Sequence, residues 1–396
     1  MINKRQQIRL NVTYFSAFLL LGMTTAVLGP SLLELAEQTG SSLKTVSAFF
    51  PIRSLAYLAG SWLSGLLYDR VPGHRLILIS LLSIAGSIAL VPAVPTLGVM
   101  VAALLVLGLG MGFLDVGCNT LLMWAYGTEA APLLNALHFF YGLGSFAAPV
   151  ILAQAFRMDR GIGLGYWVMA GLCLPVIFSL FRLPSPKPAP DQAPLGEGDQ
   201  QAVGNTVGEM IGSVSLLALF LFVYVGVEVG FGGWIYTYGL QSGLESEATA
   251  AYLTSAFWGA FTAGRLFGIP VATRFRPRRV LAVDITGAVL ALGLILLWPE
   301  SRGAAWIGTI ALGLFIASVF PTTLALIEGQ LHLTGKITSW FFISAGLGGV
   351  FLPWLIGRLA VELSPLAIPR TLFWSSLIAA GLLVVYLLRT FRSVSV

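Results

Sequence analysis

The chain has 396 residues, 57% hydrophobic and 10% charged, with a mean hydropathy of +0.88 and a formal net charge of +5. A soluble domain carries about 25% charged residues, so this composition excludes a water-soluble globular fold and requires a chain solvated by lipid. The two cysteines, Cys118 and Cys173, lie in apolar runs and read as packing residues, with no disulfide and no metal site.

A membrane-spanning helix needs about 20 mostly apolar residues. The basic start "MINKRQQIRL" leads into a first apolar run with no small-residue cleavage site after it, so that run is expected to stay as a helix. Six helices are predicted near 10–34, 43–68, 75–93, 97–126, 131–156 and 162–182. The stretch "PSPKPAPDQAPLGEGDQQAVGNTVGE" then breaks the pattern and reads as a flexible linker. Six more follow near 211–240, 247–273, 278–298, 304–329, 335–360 and 369–390. The expected architecture is an all-α membrane protein of twelve transmembrane helices. It comprises an N-terminal half (1–182), a cytoplasmic linker (183–210) and a C-terminal half (211–396).

Lys and Arg set the orientation. With the N-terminus inside, fourteen of the 22 basic residues fall on the cytoplasmic side and six outside, while Arg53 and Arg265 lie within helices. Both termini are therefore expected in the cytoplasm of a plasma (bacterial inner) membrane, with lipid and no nucleic acid as surroundings. The halves also echo each other. "SAFFPIRSLAYLAG" (47–60) matches "SAFWGAFTAGRLFG" (255–268) at an offset of 208, and "VLGLGMGFLDVG" (106–117) matches "ALGLFIASVFPT" (311–322) at 205. A duplicated six-helix unit points to a transporter that holds its cargo near the midplane, where the repeats meet.

The loop "GLLYDRVPGHR", Gly65 to Arg75, resembles the signature of the major facilitator superfamily. Four further stretches, "GFLDVGCNTLLMWAYG", "LLNALHFFYGLGSFAAPVI", "YVGVEVGFGGWIYTY" and "AYLTSAFWGAFTAGRLFGIPVATRFRPRR", are similar to the fucose:proton symporter family, and most to its sodium-dependent glucose transporter branch. The resemblance implies secondary transport of a sugar driven by Na+ or H+, with no cofactor. It also implies that Asp115 stands where that family keeps its coupling carboxylate on helix 4. Where the fucose symporter has a helix 1 carboxylate, this chain has Thr24, Thr25 and Ala26.

Several polar residues stand out against the apolar background. A charged Asp at a helix centre costs about 2.5–3.5 kcal/mol, so Asp115 is expected to be an ion-coupling group. Asn119 shares its face at i+4. His138 and Tyr141 fall at matching depths on helix 5, so a polar line of Asp115, Asn119, His138 and Tyr141 is expected. His138 serves there as a sugar ligand or a titrating group. Glu228, close to the midplane in the glycine-rich "GVEVGFGGWIYTYG", is the second ion-coupling candidate, with a salt bridge to Arg265 as the structural alternative. Arg265 and Asp284 come to similar depths on adjacent helices and read as a gating or structural pair. Arg53 reaches Asp115 or snorkels outward. Trp258 and Trp340 are candidates to pack on a sugar face, and Asp69 with Arg70 to form a state-dependent latch. The expected function is ion-coupled sugar transport by a monomer. Proton-coupled export of amphiphilic drugs or lipids on the same fold is the alternative. No nucleophile–base pair, metal cluster or phosphate loop supports an enzyme.

Overall fold

The computed structural model describes residues 4–68, 70–181, 183–186, 207–328 and 335–392. Asp69 and most of the expected linker lie outside the described residues. The chain packs as two compact units, Met1–Gln200 and Gln201–Val396, and the described residues form helices and turns with no strand. The first unit contains α1 (Lys4–Ala26), α2 (Leu28–Gln38), α3 (Leu43–Val46), α4 (Phe49–Leu67), α5 (Gly73–Leu90), α6 (Leu97–Tyr126), α7 (Ala130–Arg157) and α8 (Gly161–Leu180). The second contains α9 (Val207–Gln241), α10 (Glu247–Arg274), α11 (Pro277–Leu297), α12 (Arg302–Ile316), α13 (Val319–Glu328), α14 (Gly335–Glu362) and α15 (Ala367–Arg392).

Each unit makes six helical passes, as the hydropathy pattern predicts, but the first pass of unit one and the fourth of unit two are broken in mid-span, and α3 gives way to α4 near the start of the second pass of unit one. Helices α1 and α2 form one span bent by 51°, and α12 gives way to α13 at Ala317–Ser318. Both breaks have a local cause. Proline lacks a backbone N–H, so Pro30 offers no donor to the Ala26 carbonyl, and Pro321 none to Ala317. Among the described residues, nine spans are long and apolar enough to cross a membrane, and the bent pair α1–α2 makes a tenth. The two remaining passes, α4 and α10, carry Arg53, which is buried, and Arg265, which is half-buried.

Small residues set how closely the helices approach, since lipid gives apolar side chains no reason to prefer another helix. A Cβ at Gly112 of α6 would stand 2.2 Å from the Tyr57 carbonyl oxygen, and one at Gly108 would stand 2.4 Å from the Arg53 oxygen. Backbone meets backbone along the α4–α6 seam. The second unit repeats this seam in α10 and α12. Gly313 stands against Phe257, Ala260 and Phe261 as Gly108 stands against Arg53, Ala56 and Tyr57, and Gly264 meets Leu314 as Gly60 meets Leu109.

These contacts correct the repeat register. The α6–α12 equivalence is the expected 205, but Gly60 and Gly264 are 204 apart, not 208. The "SAFF" and "SAFW" strings align one helical turn away from their structural equivalents. Tyr57 therefore corresponds to Phe261 and Arg265 to Ser61. The units share backbone packing and differ in where they keep their charges.

Candidate functional site

In the first unit Asp115 sits on α6, partly buried, with neutral donors on both carboxylate oxygens. The Tyr57 hydroxyl of α4 donates to Oδ2. Asn119 Nδ2 donates to Oδ1 and to the Asp115 carbonyl, both at 2.9 Å. Tyr57 is the member of this group that the sequence reading missed. It is 58 residues from Asp115, and only the glycine seam brings α4 close enough. One turn along α4, the Ser61 Oγ is buried without a hydrogen-bond partner among the described residues. Cys118, also on α6, is a buried free thiol.

Arg53 takes neither course expected of it. It is 5% exposed, and its Nη1 donates to the Thr24 and Thr25 carbonyls at 3.1 and 3.0 Å. Both carbonyls lie in the last turn of α1, just before the bend. A guanidinium thus holds the freed end of a broken helix, one turn from the tyrosine that holds Asp115.

The polar line along helices 4 and 5 is only partly assembled. Helix α6 packs mainly on α4 and α5, whereas α7 packs on α1 and α8. Equal depth did not imply adjacency. Tyr141 is half-buried, and its phenol acts electrostatically on Arg53 and Tyr57, which puts it beside the Asp115 group. His138 is exposed on α7, edge-to-face with Phe18 of α1 at 5.5 Å.

In the second unit Glu228 of α9 accepts a 2.7 Å hydrogen bond from Tyr224, one turn earlier. The same Tyr224 hydroxyl is 2.8 Å from the Ile316 carbonyl at the end of α12. Arg265 of α10 exerts its charge on Glu228 and Tyr224 and lays its guanidinium over the Phe261 ring, 4.5 Å from the centroid. Its Nε is buried without a partner among the described residues. Asp284 of α11, expected to pair with Arg265, instead accepts from the Ser318 hydroxyl at the α12–α13 break. Proximity in depth brought Asp284 to the break, but the nearest donor there is the serine.

Trp258 is buried between Phe257 and Phe261, with its indole Nε1 unpartnered among the described residues. Trp340 lies on α14 and is 58% exposed. Arg70 is exposed in the turn after α4. The anchor of that loop is His74. Its Nδ1–H donates to the Leu183 carbonyl at 3.1 Å and its Nε2 accepts from the Tyr14 hydroxyl at 2.8 Å. The carbonyl can only accept, which fixes this tautomer.

Two repeated helical units with ionisable groups sequestered inside apolar spans mark the class as a multi-pass membrane transporter. Residues 14–353 match the family model of the Major Facilitator Superfamily, and the chain belongs to that family. It is 33% identical over 362 residues to sodium-dependent glucose transporter 1 of Xenopus laevis, covering 85% of this chain and 73% of that protein. It is 29% identical to major facilitator superfamily domain-containing protein 4A of Danio rerio, covering 87% of this chain and 81% of the relative. Among solved structures, a point mutant of the nucleoside transporter NupG superposes with a TM-score of 0.78 at 14% identity, covering 96% of this chain and 99% of the other. A bacterial homologue of the human lysosomal transporter Spinster gives 0.73 at 12% identity, covering 99% and 97%. At these identities the structural matches speak to the fold alone.

Proposed function

We propose that the chain carries a hexose-like sugar across the membrane by alternating access, coupled to a monovalent cation, Na+ or H+. The reading rests on Asp115. Both of its carboxylate oxygens are held by neutral donors, Tyr57 and Asn119, so its charge is left for a mobile cation to balance. A buried carboxylate without a fixed counter-ion is costly in lipid, and the cost is relieved each time a cation binds. The cation then shifts the population of states by its differential affinity for them. Na+ is favoured over H+ by the Asp115 carboxylate and the Ser61 hydroxyl one turn along α4 from Tyr57, oxygen ligands that suit a hard cation. The names of the sodium-dependent glucose transporter relatives agree.

Asn119 and Tyr141 are assigned to the sugar's hydroxyls, with His138, Trp258 and Trp340 as further sugar contacts. Glu228 is the second ion-coupling carboxylate. Arg265, Asp284 and the Asp69–Arg70 loop are assigned to gating. The protein works as a monomer in a plasma membrane, with both termini in the cytoplasm. Export of amphiphiles is not favoured, since the relatives carry a sugar transporter's name. The test is uptake of radiolabelled glucose into proteoliposomes with Na+ and pH gradients imposed separately. Accumulation under one gradient and not the other names the ion; no glucose movement under either, and none in counterflow, overturns the sugar reading.

A further inference from the structure

Three charged residues of the second unit, Glu228, Arg265 and Asp284, converge on one place, the break between α12 and α13. Glu228 reaches it from α9 through Tyr224, and Asp284 from α11 through Ser318. Arg265 lies on α10 between Gly264, which packs against Ala317 and Leu314, and Gly268, which packs against Ser318. At the centre stands one hydroxyl. Tyr224 Oη is 2.7 Å from Glu228 Oε2 and 2.8 Å from the Ile316 carbonyl oxygen. A phenol has one proton to donate. An ionised carboxylate and a carbonyl are both acceptors only, so while Glu228 is charged the two compete for that proton.

We infer that Tyr224 is a hydrogen-bond relay, which makes the hold on the α12–α13 hinge depend on whether Glu228 carries its cation. The inference rests on the reading of Glu228 as an ion-coupling carboxylate. With Glu228 ionised, the phenol proton goes to the carboxylate, because a charge-assisted hydrogen bond is roughly twice as strong as a neutral one. The Ile316 carbonyl then loses that donor. When a proton binds Glu228, the new carboxyl O–H donates to the Tyr224 oxygen, and the phenol proton turns to Ile316. When Na+ binds, it balances the carboxylate charge, the charge-assisted bond from the phenol weakens, and the phenol proton shifts toward Ile316. No covalent bond is made or broken beyond the carboxyl O–H. Among the described residues, the groups acting on Glu228 are Arg265 and Tyr224, and Asp284 acts on Tyr224. The same bound cation therefore neutralises a charge and adds a hydrogen bond at a helix break that Pro321 has left short of donors. Tyr224 is in this sense a positioning residue: it passes the state of Glu228 to a hinge 92 residues away in sequence.

The test is hydrogen exchange of the segment spanning 312–322, with the full chain in lipid nanodiscs, alongside transport in proteoliposomes. One arm steps pH at constant Na+, with each rate divided by the intrinsic exchange rate at that pH, and the other steps Na+ at constant pH; the arm that changes the protection factor identifies the cation. In the unaltered protein, adding the cation slows exchange around the break. Glu228→Gln should hold the slow, cation-independent value, because the amide donates to Tyr224 permanently. Tyr224→Phe should exchange fast with and without cation. If Glu228→Gln abolishes the cation response but Tyr224→Phe retains it, Glu228 is a coupling group and the relay is wrong. If Glu228→Gln leaves the cation dependence of both exchange and transport intact, the coupling role of Glu228 fails and the relay fails with it. Should Tyr224→Phe not fold, 3,5-difluorotyrosine at position 224 keeps the shape and makes a stronger donor. The ionised carboxylate is then held harder, so more cation is needed to slow exchange; an unmoved midpoint overturns the relay.

Discussion

Asp115 and Asn119 stand four residues apart and meet on one helix face, as their spacing predicts. The third member of the group, Tyr57, had no such signal. Its hydroxyl makes a hydrogen bond to a charged acceptor, an interaction worth about 1.5–3 kcal/mol. Tyr57→Phe leaves that oxygen short of a donor, and the carboxylate should hold its cation more tightly. The half-saturating cation concentration for uptake is expected to fall by about 10- to 100-fold, as read from uptake against a cation titration. Asp115→Asn keeps the shape and removes the charge. It is expected to end accumulation against a gradient while leaving sugar-for-sugar exchange, since coupling needs a cation that distinguishes the two states. Uptake and counterflow measured in the same vesicles check this, and undiminished accumulation under both Na+ and H+ gradients would remove Asp115 from the coupling step.

At the scale of the element, the breaks and the glycine seams carry the design. The break in each unit is held by a side chain from another helix, Arg53 at the end of α1 and Tyr224 at the end of α12. Arg53→Met keeps an apolar side chain of some length and removes the donors, leaving two carbonyls short of hydrogen bonds in lipid. A loss of about 1–3 kcal/mol is expected for each carbonyl left unsatisfied, seen as a lower Tm in detergent. At the α4–α6 seam, Gly112→Leu sets a branched side chain against the Tyr57 carbonyl, where even a Cβ would stand at 2.2 Å. A backbone oxygen cannot give way as a side chain can, so the seam should open and Tyr57 should leave Asp115. Loss of monodisperse protein on size exclusion is expected. Gly86→Ala, where a Cβ meets nothing within 4 Å, should match the parent or exceed it by a few tenths of a kcal/mol to about 1, from helix propensity.

For the whole molecule, the excess of Lys and Arg in alternate loops predicts that both termini lie inside. Single-cysteine labelling from either side of sealed vesicles checks this. A cysteine at Arg9 is expected to be blocked by an impermeant reagent only from the cytoplasmic side, and one at Arg302 only from the opposite side. Labelling of both from one side would overturn the topology. Proteoliposome uptake with separate gradients remains the measurement that joins this topology to the cation proposed at Asp115.

Hydropathy determined the six passes of each unit to within a few residues, because lipid admits only apolar stretches of sufficient length. It could not show that α1–α2 and α12–α13 would break, since a broken span is as apolar as a straight one; Pro30 and Pro321 were the available signs. Gly108 and Gly112 of the "LGLGMG" in α6 line the seam with α4, but nothing in that string names the partner helix. String similarity placed the second and eighth spans one turn out of register, because a helix face nearly repeats every four residues and similar letters can align on either turn. Intramembrane charges were individually visible, for a carboxylate in lipid has to be accounted for. Their partners were not. Which donor reaches Asp115, Glu228 or Asp284 depends on which helices touch and at what height. Backbone approach at a few glycines fixes that, and no local pattern in the chain encodes it.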